Sequence, residues 1–166
     1  MEFSLKPLSL QSMGRALGHA QNYRLLNEPE QAESICRDIL RLAPDHAQAS
    51  LLLVLSLTDQ FKTRLGGRIK RALKALERIQ DPYANLYYHG VILERVARAK
   101  LTHTTPGSKF SAYAHFREAM KWYEKAEKIR PPENDDSILR WNACVRTIRA
   151  RKLRPSPDDT FLPLLE

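Results

Sequence analysis

Five positions of this chain recur with the same spacing 87 residues further on. Ala32, Cys36, Ile39, Leu42 and Pro44 are matched by Ala119, Tyr123, Ala126, Ile129 and Pro131. Steps of three and four residues gather the apolar members on one side of an α-helix, and proline ends that helix because it has no amide to donate. A repeat of this kind restricts the chain to a stack of helical units, none of which buries its apolar face alone. A content of 43% apolar and 28% charged residues agrees with a globular chain, and six glycines in 166 residues exclude collagen-like and flexible low-complexity architectures.

Apolar residues recur at three and four along the whole chain, and nothing alternates as a strand would. The punctuation predicts seven helices. The first runs from about Ser12 to Asn27, and the second starts at Pro29 and stops at Pro44. Asp45 is the expected cap of a third helix around LLLVLSL, which Gly66 and Gly67 separate from a fourth, Arg68 to Ile79. Asp81 and Pro82 open a fifth helix to about Lys100, and the segment LTHTTPGSK, residues 101–109, is the expected loop. A sixth helix covers Ser111 to Arg130, and a seventh follows the acidic run at Asn134 and reaches Lys152. Residues 1–11 read as an arm and 153–166 as a mobile, proline-rich tail. Phe161, Leu162, Leu164 and Leu165 make that tail a candidate recognition segment.

Ala16, Leu17, Ala20 and Tyr23 precede Ala32 so that residues 13–46 form one helix–turn–helix unit of 34 residues, which resembles a tetratricopeptide repeat. Ala20 stands where that family usually has glycine. A weaker unit spans 47–80, with Val54 and Gly66 placed 34 residues beyond Ala20 and Ala32; it departs from the pattern at Lys70 and lacks the closing proline. A third, over 83–131, carries Leu86, Gly90 and Leu93 and a 17-residue insertion between Gly90 and Ala119. The resemblance implies an all-α, right-handed α-α superhelix of about three repeats, capped by the helix at 134–152 with its Ile138, Trp141, Val145 and Ile148 stripe. It also implies a non-catalytic interaction scaffold whose concave groove takes a peptide or partner helix. By spacing, Leu17, Gln21, Arg24, Leu51, Leu55, Tyr87, Val91, Glu94, Arg95, Ile138 and Asn142 line the groove. The leucines there disfavour the carboxylate clamp of some family members, so a more apolar ligand is expected, with Tyr87, Leu51 and Leu55 as its apolar contacts and Gln21, Arg24, Arg95 and Asn142 fixing polar groups.

The net charge of +8 is uneven: residues 1–60 sum to −2 and residues 61–166 to +10. Arg64, Arg68, Arg71 and Arg78, with Arg146 and Arg149 near the end of the seventh helix, form a candidate anion-binding patch. The competing readings are therefore a basic protein on RNA, DNA or an acidic membrane surface, and a self-associating homo-oligomeric subunit. No aromatic residues are interleaved with the basic runs, and outward-facing solvated helices are the favoured account of them. The five histidines make no metal-ligand spacing, the two cysteines have no C-x-x-C partner, and no phosphate-cradling glycine motif occurs. No enzyme, cofactor or metal is expected. Two distant cysteines and the lack of a leader or of a membrane-length apolar run point to a cytoplasmic protein.

Overall fold

Asn27 has the left-handed backbone angle φ 60°, and this one residue turns the chain from the first helix into the second. The Glu28 amide donates to the Tyr23 carbonyl at 2.8 Å and the Asn27 amide to that of Arg24 at 3.0 Å, so the helix ends with its last carbonyls satisfied. Lys152, at φ 51°, ends the last helix the same way, and Leu153 beyond it is buried in the core. The computed structural model describes residues 3–63, 65–103 and 105–157. Among them the chain is all-α: after one 3-10 turn come α1 (Met13–Leu25), α2 (Pro29–Leu42), α3 (Ala47–Asp59), α4 (Arg68–Leu76), α5 (Pro82–Thr102), α6 (Ser108–Glu127) and α7 (Asp136–Ala150). Arg64 and the candidate recognition segment Phe161–Leu165 lie outside the described residues.

Several helix ends differ from expectation for local reasons. The cap of α3 is His46, whose Nδ1 accepts from the Ala49 amide at 3.2 Å, rather than Asp45. Asp81 does cap α5, accepting from the Ala84 amide at 2.6 Å. Gly107, at φ 79°, lets α6 begin at Ser108, so the expected loop is shorter than residues 101–109. Asn134, the first residue of the expected run, accepts from the Asp136 amide, the first of α7, at 3.0 Å. Leu153, placed in the tail by its proline-rich company, is instead an anchor.

Each helix packs on its neighbours in sequence, and α1 also meets α3 and α3 meets α5. The apolar residues form two clusters. One joins α1 to α4 and takes Ile92, Val96 and Ala99 from α5. The other joins α5, α6 and α7 around Phe116, Met120 and Tyr123, with Leu153 from beyond α7, and Tyr88 packs against both. Helix α5 is thus buried on two sides, and Val91, Ile92, Leu93, Val96 and Ala97 are all nearly or fully inaccessible.

The α5–α6 contact depends on Gly90. A Cβ there would stand 2.6 Å from the ring of Tyr123, which is completely buried. The matching positions of the first unit are Ala20 and Cys36, both fully buried. A larger side chain on the second helix of the pair is offset by the loss of a Cβ on the first. Gly90→Ala is expected to destabilise the fold by about 1–3 kcal/mol through overpacking, despite the better helix propensity of alanine. Urea unfolding followed by far-UV circular dichroism measures it, and an unchanged midpoint would show that the ring has room to move.

Candidate functional site

The last turn of α3 carries Thr58 and Asp59, and it faces Arg24 of α1 on one side and Arg95 of α5 on the other. Asp59 accepts from Arg24 Nε at 2.8 Å and also pairs with Arg95. The same Arg95 Nη1 donates to Thr58 Oγ1 at 2.6 Å and to the Leu55 carbonyl at 3.3 Å. A guanidinium near a helix C-terminus is favoured by the negative end of the helix dipole, so this position suits it electrostatically.

One residue before Arg95, Glu94 is 1% exposed. Its carboxylate accepts from Tyr123 Oη at 2.7 Å, from Arg98 Nε at 2.9 Å and Nη2 at 2.8 Å, and lies 3.6 Å from Arg140 Nη1 on α7. A buried carboxylate is tolerable only with this degree of compensation. Burial and the adjacent carboxylate push the Tyr123 phenol above its ordinary range, so it stays a donor. Two carboxylates therefore hold four arginines around one hollow of about 430 Å³, which Asn27, Phe61 and Lys62 complete. An arginine offers five N–H donors, and most of these remain unspent among the described residues. The hollow has five cations and two acids, and its geometry suits a carboxylate.

The expected groove residues divide. Arg24 and Arg95 line the hollow, and Gln21 is exposed. Leu51 packs on the first core and Leu55 on the second, each half-buried, and Ile138 and Asn142 are half-buried on α7. Leu17 and Val91 are buried core residues and offer no groove surface, because α1 and α5 turn those positions toward their neighbours. Tyr87 is not a free anchor: it stacks on Tyr83 at 5.9 Å, meets Tyr88 edge-on at 4.9 Å, and its hydroxyl accepts from Arg140 Nε at 3.4 Å. Sequence reasoning missed Asp59, Lys62, Arg98 and Arg140. Asp59 is the sole acid in α3, which was the available signal for a paired site there.

Two members of the expected basic patch are tied internally. Arg68 donates to Gln60 Oε1 at 3.0 and 2.7 Å, Arg71 pairs with Glu33, and Gln60 Nε2 donates to Glu33 at 2.7 Å. These two arginines are held by buried polar groups rather than lying along one solvated face. Arg78 is exposed beyond α4, and Arg146 and Arg149 are exposed on α7. Burial pushes the thiols of Cys36 and Cys144 up to about 12, so neither is poised as a nucleophile. Among the described residues no helix is long and apolar enough to cross a membrane. No protein-family model, curated protein or solved structure matches this chain.

Two outcomes follow from the buried groups. Glu94→Ala is expected to cost about 3 kcal/mol, since it strands the Tyr123 hydroxyl and two guanidiniums, while Tyr123→Phe costs about 1 kcal/mol; comparable small losses in urea unfolding would mean that Glu94 is not the centre of the network. Burial also lowers the pKa of His89 and His115 from 6.5. The unfolded chain then binds more protons, so stability is fully present above pH 6.5 and falls as the pH drops toward the folded-state values. Melting temperatures between pH 7.5 and 5 check the sign, and His115→Gln should flatten the slope.

Proposed function

We propose that this chain is a non-catalytic protein-interaction scaffold, a tetratricopeptide-like right-handed superhelix that takes an acidic segment of a partner protein in its concave groove. The packing of α1 on α3 and α3 on α5 supports an inner layer made of the first helix of each unit. The buried pair Ala20 and Ala32 supports close approach within the first unit. Two buried thiols accord with the cytoplasmic setting expected from the sequence.

The observation that carries the reading is the sharing of Asp59 and Glu94 among Arg24, Arg95, Arg98 and Arg140. Each carboxylate neutralises one guanidinium's worth of charge and orients two, which leaves a preorganised cationic surface. A partner carboxylate completes it. The preferred ligand is therefore acidic rather than the apolar one expected from Leu17, Leu51 and Leu55. Nucleic-acid binding is less favoured, because Arg68 and Arg71 are tied internally and Arg78, just beyond α4, is on a different element from Arg146 and Arg149 of α7.

Fluorescence anisotropy with a labelled glutamate-rich peptide tests this. The double variant Arg24→Gln, Arg140→Gln should weaken binding tenfold or more, about 1.4 kcal/mol, and binding should decline as salt rises. Undiminished affinity in a variant of unchanged helicity would remove the hollow as the site.

A further inference from the structure

A second groove lies between α2 and α4, with α3 beneath it. Its floor is Leu40, Leu53, Leu57 and Ala75, and its volume is about 340 Å³. The α2 rim carries Arg37 and Arg41, one turn apart. The α4 rim carries Arg71, Lys74 and Arg78, which recur along one side of that helix and its end. No carboxylate lines this groove. Glu33 lies beside it, already shared between Arg37 and Arg71, and Asp38 reaches Arg41 only at 4.0 Å. Lys74 and Arg78 have no ion-pair partner among the described residues. Helices α2 and α4 each pack on α3 and make no comparable contact with one another, which keeps the groove open along its length.

We propose that this outer groove docks a second segment of a partner protein, an amphipathic stretch in which a bulky apolar side chain is flanked on both sides by acids. Charge complementarity sets the flanks: both rims are cationic, so carboxylates on the two sides of a ligand meet arginine or lysine in either direction. The floor sets the centre. Leu40, Leu53, Leu57 and Ala75 are each under a tenth exposed and lie below the charged rims. A projecting leucine or phenylalanine reaches them, whereas a flat anionic bilayer meets only the rims. A phosphodiester chain satisfies the rims equally well but has no use for an apolar floor, and no aromatic side chain lines the groove for a base to stack on. The site is separate from the concave hollow, with which it shares no residue.

The test uses the full chain and a fluorescein-labelled helical peptide bearing two leucines one turn apart between glutamates. Lys74→Glu with Arg78→Glu changes two exposed side chains, so the fold should persist, and affinity should fall at least tenfold. The double variant of the concave hollow should leave this binding unchanged, which separates a failure here from a failure of the acidic-groove reading. A control peptide with serine in place of leucine should bind at least tenfold more weakly. Equal affinity for the leucine and serine peptides would overturn the proposal, because charge alone would then account for binding. Retention of peptide binding by the Lys74, Arg78 variant would overturn it as well. So would a variant that loses phosphatidylserine vesicles or a short RNA while its peptide affinity stays the same.

Discussion

The carboxylate of Glu94 joins three helices that the apolar pattern alone leaves free to slide. It lies on α5, accepts from Tyr123 of α6 and from Arg98 one turn along α5, and attracts Arg140 of α7. Removing a carboxylate from water costs several kcal/mol, so its burial is tolerated only in the arrangement that supplies all of these donors. Apolar contacts lack direction, and a helix rotated by a few degrees keeps most of them. The charged node does not allow that rotation, and it sets the register of α5, α6 and α7 together with the position of the arginines that face the hollow.

Gly90 and Tyr123 are the steric counterpart of that node. The tyrosine ring occupies the space a Cβ would take, and this brings its hydroxyl to the carboxylate one turn further along α5. In the first unit, alanine and cysteine fill the equivalent places, Arg24 stands at the position matching Glu94, and the buried acid of that unit, Glu33, lies on α2 instead. Repetition of helix geometry is thus compatible with a different interior in each unit. The length of α5 and α6 gives them a long mutual interface, and the bond between Glu94 and Tyr123 lies inside it.

The two arginine-rich surfaces arise from different physical situations. At the hollow, Asp59 and Glu94 are buried or half-buried acids that orient arginines toward a common space. At the groove between α2 and α4, Glu33 and Gln60 hold the arginines at the base of α4, while Lys74 and Arg78 stay in solvent. A basic run in sequence, Lys62 to Arg78, therefore divides into structural cations and available ones. Counting charge along the chain does not make that division, because it depends on which acids come within a few ångströms from other helices.

The sequence by itself determined that the chain is helical, where most of its helices begin and end, and that Ala32, Cys36, Ile39, Ala119, Tyr123 and Ala126 are buried, whereas Leu42 and Ile129 of the same pattern end exposed. These follow from local chemistry: the three-and-four periodicity, the cap at Asp81, and the prolines at 29, 44, 82 and 131. It named Arg24 and Arg95 among the groove residues, and both line the hollow. It misjudged Tyr87, Leu17 and Val91, since a stripe on a helix does not reveal which side of that stripe a third helix covers. Only the tertiary structure decided that Asp59 and Glu94 gather arginines from α1, α5 and α7, and that α2 and α4 leave a floor open between two basic rims. Ion pairing between residues 35 or more positions apart depends on how helices stack, and a one-residue pattern along a single helix carries no record of it.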